Sequence, residues 1–312
     1  MATPNTKPYH LPSDAVWFIT GCSSGIGEAL AQLIAQTSNR VVATARKAAA
    51  LPSIPTNDRV LKLELDVTST SSIDAALHTT LEKFGRIDVV VNNAGYTLAG
   101  DTESAGDEEA RAVLDTNFWG TVDVTKRALG ILRDENPKTG QRGGVILNLS
   151  SVGGYIGFPG QSFYHASKFA IEGWSESLAK ELPAEWNIHL SNIEPGGVKT
   201  NYATSSLKPT AKRHPAYADP SSPTNQLLGF MSSEQGRSLW AEASSLAAAI
   251  YLVVSRGKRI PIRVPLGSDS WGMIAQDLES TKNDLDELKD ISVSVGDPKQ
   301  FEAISFLRKP QD

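Results

Sequence analysis

Short apolar runs alternate along the chain with longer segments in which apolar residues recur every three or four positions. The short runs are rich in β-branched residues and predict strands at residues 15–20, 40–45, 60–65, 87–92, 144–149, 187–193 and 260–264. The longer segments predict helices near residues 25–37, 71–84, 107–134, 161–182 and 238–256. Strands separated by helices form parallel sheets that carry helices on both faces. The pattern therefore predicts an α/β fold with one doubly wound parallel sheet of about seven strands.

Two regions depart from this alternation. Residues 195–237 are rich in Pro, Ser, Thr and Gly, and a long connection of this kind predicts a lid over a binding site. Residues 271–312 follow the last strand, are acidic, and predict a helix with an irregular tail. A surface elaboration without function is the alternative for both regions. We predict a single domain over residues 1–312 with its core at about 14–270.

Composition excludes several classes of function. Charged residues make up 21% of the chain, the net charge is -5 and no Lys/Arg stripe is present, which argues against nucleic-acid binding. Apolar runs such as 245–254 are too short to span a bilayer, and the N-terminus lacks the apolar stretch of a signal peptide, so a cytoplasmic location is expected. Cys22 is the only cysteine, and the five histidines form no H-E-x-x-H pair. We therefore expect neither disulfides nor a metal.

A glycine-rich segment follows the first predicted strand and reads T-G-C-S-S-G-I-G over residues 20–27. Such glycines form a tight turn and let backbone N–H groups approach a pyrophosphate at a helix N-terminus. Residues 21–25 also match the G-x-S-x-G nucleophile elbow of hydrolases, with Ser23 as the nucleophile. An elbow normally follows several strands and an oxyanion loop, whereas this segment follows the first strand. A dinucleotide site is the preferred interpretation.

The residue about twenty positions beyond the glycines indicates which nucleotide binds. A carboxylate there would bind the ribose hydroxyl of NAD, but this chain has Arg46 and no acid between Ala43 and Leu51. A guanidinium can pair with the 2′-phosphate of NADP(H), which is worth about a ten- to hundredfold preference over NAD(H). A solvated arginine is the alternative. The sequence therefore predicts NADP(H) as the cofactor.

Tyr164 and Lys168 stand four residues apart in a predicted helix and so share one face. An ammonium near a phenol stabilises the phenolate, so the pair could act as an acid or base near neutral pH. An accidental pair on an exposed helix is the alternative.

These motifs together resemble the short-chain dehydrogenase/reductase superfamily. They are T-G-x-x-x-G-I-G, N-N-A-G at 92–95, Asn117, Ser151, Y-x-x-x-K and P-G-G-V-K-T at 195–200, in the order and spacing of that family over about residues 14–200. The resemblance implies a Rossmann-type sheet and assigns Tyr164 as general acid or base. It further implies that Ser151 donates to the substrate oxygen and that Asn117 positions a water. Lys168 would lower the pKa of the tyrosine and hold the nicotinamide ribose.

The resemblance also implies which residues contact NADP(H). They are Thr20, Gly21, Ser23, Ser24, Gly25, Ile26, Gly27, Arg46, Asp66, Val67, Asn93, Ala94, Gly95, Tyr164, Lys168, Pro195, Gly196, Val198 and Thr200. Some could instead have a purely structural role, because Asp66 could neighbour a helix N-cap and Pro195 could belong to a turn. Ser24 stands where many NADP-preferring members carry a basic residue, so specificity would depend mainly on Arg46.

The expected substrate is a small-molecule ketone or secondary alcohol with a bulky, hydrophobic and ring-containing skeleton. The predicted pocket residues are apolar or aromatic: Tyr96, Leu98, Tyr155, Phe158, Pro159 and Tyr202. The segment P-L-G-S-D-S-W at 265–271 is loosely similar to the retinol- and hydroxysteroid-type subgroup. A non-catalytic NADP sensor or a nucleotide-sugar epimerase would share part of this pattern. The resemblance also implies a homodimer or homotetramer that pairs through the helices at 107–134 and 161–182.

Overall fold

The computed structural model of the protein describes residues 4–200, 206–297 and 299–307. The strands are β1 (Val16–Ile19), β2 (Arg40–Ala45), β3 (Val60–Glu64), β4 (Val89–Asn92), β5 (Thr97–Ala99), β6 (Gly144–Leu149), β7 (Ile188–Pro195), β8 (Val198–Lys199), β9 (Leu207–Pro209), β10 (Ala241–Glu242) and β11 (Arg263–Leu266). The α-helices are α1 (Gly25–Ala35), α2 (Thr70–Phe84), α3 (Asp107–Leu114), α4 (Gly120–Gly130), α5 (Ser162–Glu181), α6 (Pro223–Ser232), α7 (Glu234–Ser238), α8 (Ala243–Ser255), α9 (Ser268–Glu287), α10 (Lys289–Val293) and α11 (Gln300–Ala303). A π-helical turn follows both α3 (Asp115–Trp119) and α4 (Ile131–Glu135).

Seven strands form the central sheet in the order β11-β7-β6-β4-β1-β2-β3, and all of their pairings are parallel. The predicted α/β fold with a doubly wound sheet of about seven strands is confirmed. The chain runs outward from β1 to β3 and then returns to β4 on the other side of β1. The carboxyl ends of β1 and β4 therefore frame a topological switch point, which is where ligands bind in open α/β sheets.

Both faces of the central part of the sheet are buried, which explains why β1, β4 and β6 are almost continuously apolar. Alternate residues of β1 point to opposite sides, so Trp17 packs with Leu30 of α1 and Ile250 of α8. Phe18 belongs to the other cluster, together with Ile73 of α2. All five side chains are inaccessible to solvent. A strand covered on both faces has no position for a solvated side chain, so alternation of polar residues is absent.

Polar side chains join the central strands near their carboxyl ends. Asn92 of β4 and Asn148 of β6 are register partners, and the Asn92 Nδ2 donates to the Asn148 Oδ1 at 2.8 Å. The Asn92 amide also donates to Thr125 Oγ1 at 2.9 Å, and the Asn148 Nδ2 donates to Ser175 Oγ at 2.9 Å. This amide pair links β4 and β6 to two helices that cover the same face of the sheet, α4 and α5.

The predicted lid at 195–237 contains regular structure that its composition did not predict. Strand β9 pairs in parallel with β5, just beyond the N-N-A-G segment. Arg213 Nε lies 2.8 Å from the Asp101 carboxylate, and the Tyr217 hydroxyl donates to Glu103 at 2.8 Å. The connection is therefore docked against residues 97–104 at the carboxyl edge of the sheet.

The C-terminal extension begins as the long helix α9, three residues before the predicted boundary at 271. Ser270 and Ile274 are its buried residues, and every side chain from 278 to 297 is exposed. Within the described part of the chain, no helix combines the length and apolar character needed to cross a bilayer.

Candidate active site

The predicted nucleotide-binding segment forms a tight cradle between β1 and α1. Gly21 and Gly25 have φ angles of 72° and 65°, a region that residues with a Cβ rarely adopt. A Cβ on Gly27 would lie 2.4 Å from Asn93 Nδ2 and 2.6 Å from the Gly21 carbonyl oxygen. Asn93 Nδ2 donates to the carbonyl oxygens of Thr20 and Gly21 at 2.9 and 3.0 Å, and so ties the N-N-A-G segment to this loop. Close backbone packing explains the three glycines.

The start of α1 suits an anion. Ser24 occupies the N-cap position with extended backbone, and its side chain makes no capping hydrogen bond. The first N–H groups of a helix have no intrahelical partner and carry the positive end of its dipole. Ser23 is exposed and Ile26 is half-buried at the same turn. Thr200 lies across the turn, since a Cβ on Gly25 would be 3.1 Å from its methyl group. These features fit the phosphates of a dinucleotide.

Arg46 and Asp66 lie at the ends of β2 and β3, on the predicted nucleotide side. Arg46 is exposed directly after β2. The Asp66 carboxylate accepts hydrogen bonds from the hydroxyl and N–H of Thr68 at 2.7 and 2.9 Å. These bonds lower the pKa of Asp66, and the nearby charge of Arg46 lowers it further. Val67 is buried against Gly120. Arg46 is therefore a solvent-facing guanidinium close enough to a carboxylate to interact with it.

Ser151, Tyr164 and Lys168 come together beside the N-N-A-G segment. The Ser151 side chain lies close enough to Tyr164 to lower the pKa of its hydroxyl. Lys168 Nζ donates to the Leu149 carbonyl oxygen at 2.6 Å and lies 5.6 Å from the centre of the Tyr164 ring. A Cβ on Gly95 would be 3.8 Å from that nitrogen, so the N-N-A-G segment lies next to the ammonium. The structure thus brings the predicted catalytic pair and the serine into one cluster.

Burial controls the ionisation of both members of the pair. Burial raises the pKa of Tyr164, and the Ser151 side chain opposes this rise. Among the groups of the protein, the net effect is thus a raised pKa of Tyr164, opposite to the lowering by Lys168 that the sequence predicts. Burial lowers the pKa of Lys168 to about 8, and the charge of Glu172 opposes that change. At neutral pH the tyrosine is therefore a phenol and the lysine is mostly an ammonium.

Asn117 lies in the π-helical turn between α3 and α4 and is 1% exposed. Its Oδ1 accepts from the Tyr96 N–H at 3.0 Å, and its Nδ2 donates to the Tyr96 carbonyl at 2.9 Å. The same Nδ2 donates to Ser167 Oγ at 3.0 Å. A wider turn of this kind often marks a functional position. Here the side chain of Asn117 fixes the backbone of Tyr96 beside Lys168; its predicted role in positioning a water stays a prediction.

The loop after β7 is held by a residue that the sequence analysis missed. Asp269, at the start of α9, accepts a hydrogen bond from the Gly197 N–H at 2.7 Å. A Cβ on Gly196 would lie 2.1 Å from that carboxylate. Pro195 and Val198 are buried on either side of these glycines. The predicted nicotinamide loop is therefore positioned by the C-terminal extension. The adjacent P-L-G-S-D-S-W segment was the available signal.

A buried group of charges lies behind Lys168 and was also missed. Arg263 Nε contacts Glu172 Oε2 at 3.1 Å, and Arg263 Nη2 contacts Glu176 Oε2 at 2.8 Å. Asn192 Nδ2 donates to the same Glu172 oxygen at 2.7 Å. Burial and the neighbouring Glu172 raise the pKa of Glu194 to about 8. Glu172 stands four residues after Lys168, a spacing that could have revealed the contact.

The predicted pocket residues are distributed around the catalytic cluster. Leu98 is buried, the Tyr155 ring lies 5.6 Å from the Arg263 guanidinium, and Phe158 packs edge-on against His165. Tyr202 lies outside the described residues, and Pro159 is exposed. A cleft of about 310 Å³ includes Tyr96 and Leu98 among its lining residues but neither Ser151 nor Tyr164.

His165 supports the loop that carries Ser151. Its Nδ1 lies 2.9 Å from the Gly153 carbonyl oxygen, which can only accept, so this nitrogen carries the proton. The Gly153 N–H in turn donates to Ser151 Oγ at 3.0 Å. Burial lowers the pKa of His165 and favours its neutral form. The histidine is thus a structural support of the loop that carries the predicted catalytic serine.

The hydrolase alternative lacks a catalytic base. Across residues 4–200, 206–297 and 299–307, no histidine forms a hydrogen bond with Ser23. Cys22 is fully buried, and burial raises the pKa of its thiol to about 12, so it is a packing residue. The same part of the chain contains no cluster of His, Cys, Asp and Glu suited to a metal ion.

Comparison with known proteins extends the similarity to almost the whole chain. The family model for short chain dehydrogenase matches residues 15–210. The chain is 45% identical to oxidoreductase calM of Penicillium decumbens, over 92% of this chain and 95% of that protein. It is 35% identical to the 3-ketodihydrosphingosine reductase of Bacteroides thetaiotaomicron, over 80% of this chain and 86% of that protein. A solved short-chain dehydrogenase from Streptomyces avermitilis has a TM-score of 0.78 and 32% identity, covering 90% of this chain and 100% of that chain.

Proposed function

We propose that this protein interconverts a ketone and a secondary alcohol with NADP(H). The chain belongs to the short-chain dehydrogenase family and is therefore an oxidoreductase. The observation that carries this proposal is the cluster of Ser151, Tyr164 and Lys168 beside the glycine cradle. An acid, a hydrogen-bond donor and a cation meet there at the switch point of the sheet. This is the set of groups that carbonyl reduction requires.

Each residue of the cluster has a distinct part in the reduction. The Tyr164 phenol donates its proton to the carbonyl oxygen as that oxygen gains negative charge, and its raised pKa keeps it protonated beforehand. The Ser151 hydroxyl donates a hydrogen bond to the same oxygen. The Lys168 ammonium stabilises the phenolate that remains after proton transfer, and water then restores the proton. A bound nicotinamide supplies the hydride for the carbonyl carbon, or accepts it in the reverse direction.

The preference for NADP(H) rests on Arg46. The guanidinium is exposed at the end of β2, where it is available to a 2′-phosphate, and no acid lies beside it in sequence. Gly21 and Gly25 permit the left-handed turn, and Gly27 permits the close packing, that set the first N–H groups of α1 where a diphosphate would bind. We propose that these residues, with the others predicted to contact the nucleotide, form its binding site.

The proposed substrate is bulky, hydrophobic and ring-containing. Leu98, Tyr155 and Phe158 are the apolar and aromatic side chains that we expect to face the cluster, and the docked lid adds β9 next to β5. The name of one relative, a 3-ketodihydrosphingosine reductase, likewise specifies a lipophilic ketone. A single domain over residues 1–312, a homodimer or homotetramer, and a cytoplasmic location stay predictions.

Turnover measurements test the proposal. The purified protein is given NADPH or NADH with cyclic, aromatic, steroidal, retinoid and long-chain ketones, and nucleotide oxidation is followed by absorbance. Tyr164→Phe should lose at least about a hundredfold in kcat/KM, because the general acid is gone. Tyr251→Phe is the matched control, since that hydroxyl contacts Asn39 and no catalytic residue. Equal activity of both variants would contradict the assignment of Tyr164. Saturable NADPH binding without turnover of any ketone would favour a sensor.

The nucleotide preference is tested separately. Arg46→Gln should raise the KM for NADPH about ten- to a hundredfold and leave the KM for NADH almost unchanged, because only NADPH carries the 2′-phosphate. Arg59→Gln, an exposed arginine before β3, is the control. If Arg46→Gln weakened both nucleotides equally, the proposed contact would be wrong.

A further inference from the structure

The segment Ser268–Val293, here called the tail helix, comprises α9 and α10 with Leu288 as the single residue between them. Beyond Ile274 its apolar side chains are open to water: Leu278, Leu285 and Leu288 are 51%, 65% and 49% exposed. A single helix with few tertiary contacts is marginally stable in water. Three leucines on such a helix predict that another surface covers them.

Five apolar residues of the tail helix follow a heptad repeat, whereas Met273, Ile291 and Val293 fall outside it. Starting at Trp271, the spacings alternate between three and four residues and give the series Trp271, Ile274, Leu278, Thr281, Leu285 and Leu288. These are the a and d positions of a two-stranded coiled coil, a narrow seam that fits one partner helix. This stripe of a and d side chains is therefore suited to another helix with a similar heptad pattern.

Charges beside the stripe specify which helix fits. Asp277 and Asp284 occupy g positions, and Lys282 and Lys289 occupy e positions. In a parallel pair, each g residue faces the e residue five positions later on the other helix. Asp277 would then face Lys282 of a second copy, and Asp284 would face its Lys289. An antiparallel pair would bring g to g and e to e, so that acid meets acid and base meets base.

A membrane surface fits this helix less well. The face opposite the leucines carries Glu279, Asp286, Glu287 and Asp290, all exposed. Helices that lie in the interface of anionic bilayers are rich in Lys and Arg on that face. Acidic residues would be repelled by the lipid headgroups.

We propose that the tail helices of two copies of this chain associate in parallel as a short coiled coil, with Leu278, Leu285 and Leu288 at its seam. This interface lies outside the helices at 107–134 and 161–182 and is independent of the catalytic proposal. The partner is identical in sequence, so each g–e pair occurs twice across the two-fold axis.

Site-specific cross-linking tests the proposal on the full chain. Cys22 is fully buried, so an introduced cysteine is the accessible thiol. Leu285→Cys places it at an a position, and Asn283→Cys places it at an f position on the outer face. With copper–phenanthroline as the oxidant, Leu285→Cys should yield at least about ten times more disulfide-linked dimer than Asn283→Cys. Both side chains are exposed in one copy, so neither change disturbs its fold.

Charge reversal tests the parallel orientation. In the Leu285→Cys background, Asp284→Lys or Lys289→Asp should each slow cross-linking about tenfold, because like charges then face each other. The double reversal should restore the rate, and so should a mixture of the two single variants. Equal cross-linking of Leu285→Cys and Asn283→Cys, or insensitivity to both reversals, would overturn the proposal. Binding to phosphatidylcholine–phosphatidylserine vesicles without cross-linking would overturn it in favour of a membrane surface.

Discussion

The carboxyl group of Glu194 should make the stability of this protein fall as the pH rises through neutrality. The side chain is 1% exposed, and neither carboxyl oxygen accepts a conventional hydrogen bond within the described residues. Burial, followed by the charge of Glu172, raises its pKa from 4.5 to about 8. Arg263 opposes this rise only in part, since its Nε lies 3.9 Å from Glu194 and is bonded to Glu172. Near neutral pH Glu194 is therefore largely protonated.

The sign and size of the effect follow from proton linkage. Between pH 4.5 and about 8 the folded protein holds a proton on Glu194 that the unfolded chain releases. Stability contributed by this group therefore falls by about 1.4 kcal/mol per pH unit over that window and is constant above it. From about pH 6 to pH 8 the loss approaches about 3 kcal/mol. Glu194→Gln keeps the size and the donor but cannot ionise.

Urea unfolding of both proteins across this pH range measures the difference. The free energy of unfolding of Glu194→Gln, relative to the unmodified protein, should rise by about 3 kcal/mol between about pH 6 and pH 8 and then level off. Glu64→Gln, on an exposed side chain, should show a constant difference. If the Glu194→Gln and unmodified curves ran parallel over the whole range, the buried carboxyl would not be protonated as argued here.

Two further outcomes are expected. Gly27→Ala should weaken NADPH binding and lower the free energy of unfolding by about 1–3 kcal/mol, because its Cβ would lie 2.4 Å from Asn93 Nδ2. The control Gly173→Ala, whose Cβ meets nothing within 4 Å in α5, should stabilise the protein by about 0.5–1 kcal/mol. Fluorescence titration measures the binding of NADPH, and denaturant melts measure the stability of each variant. The kcat/KM for ketone reduction should fall about tenfold per unit above pH 8, where Lys168 loses its proton, and a pH profile that stays flat to pH 10 would contradict a requirement for the ammonium.

Much of this molecule could be predicted from local patterns. All seven strands of the central sheet were predicted, because most of them are short apolar runs bounded by polar residues, although β11 begins three residues after its predicted start at 260. The spacing of the glycines and of Tyr164 and Lys168 identified residues that the structure places together. Strand β9 escaped prediction because a three-residue strand has no measurable period.

The remaining features depend on tertiary contacts that no local pattern reveals. Asp269 reaches Gly197 across 72 positions in sequence, so its role is evident only once α9 is in place. The sequence shows that Tyr164 has a lysine neighbour, but it does not show how deeply the phenol is buried, and burial determines the direction of its pKa. The pairing of Glu172 with Glu194 is hidden for the same reason.

The amide pair between Asn92 and Asn148 fixes the register of β4 against β6 in the parallel sheet. Apolar strands covered on both faces would bury hydrophobic side chains in several alignments, so burial alone specifies their register weakly. A shift of one residue between β4 and β6 would turn these two amides to opposite faces and leave them without partners. The segments that leave those strands begin at Asn93 and Ser150, which this register keeps within one residue of the same height above the sheet. The amide pair therefore fixes the spacing between the N-N-A-G segment and the predicted catalytic serine, Ser151.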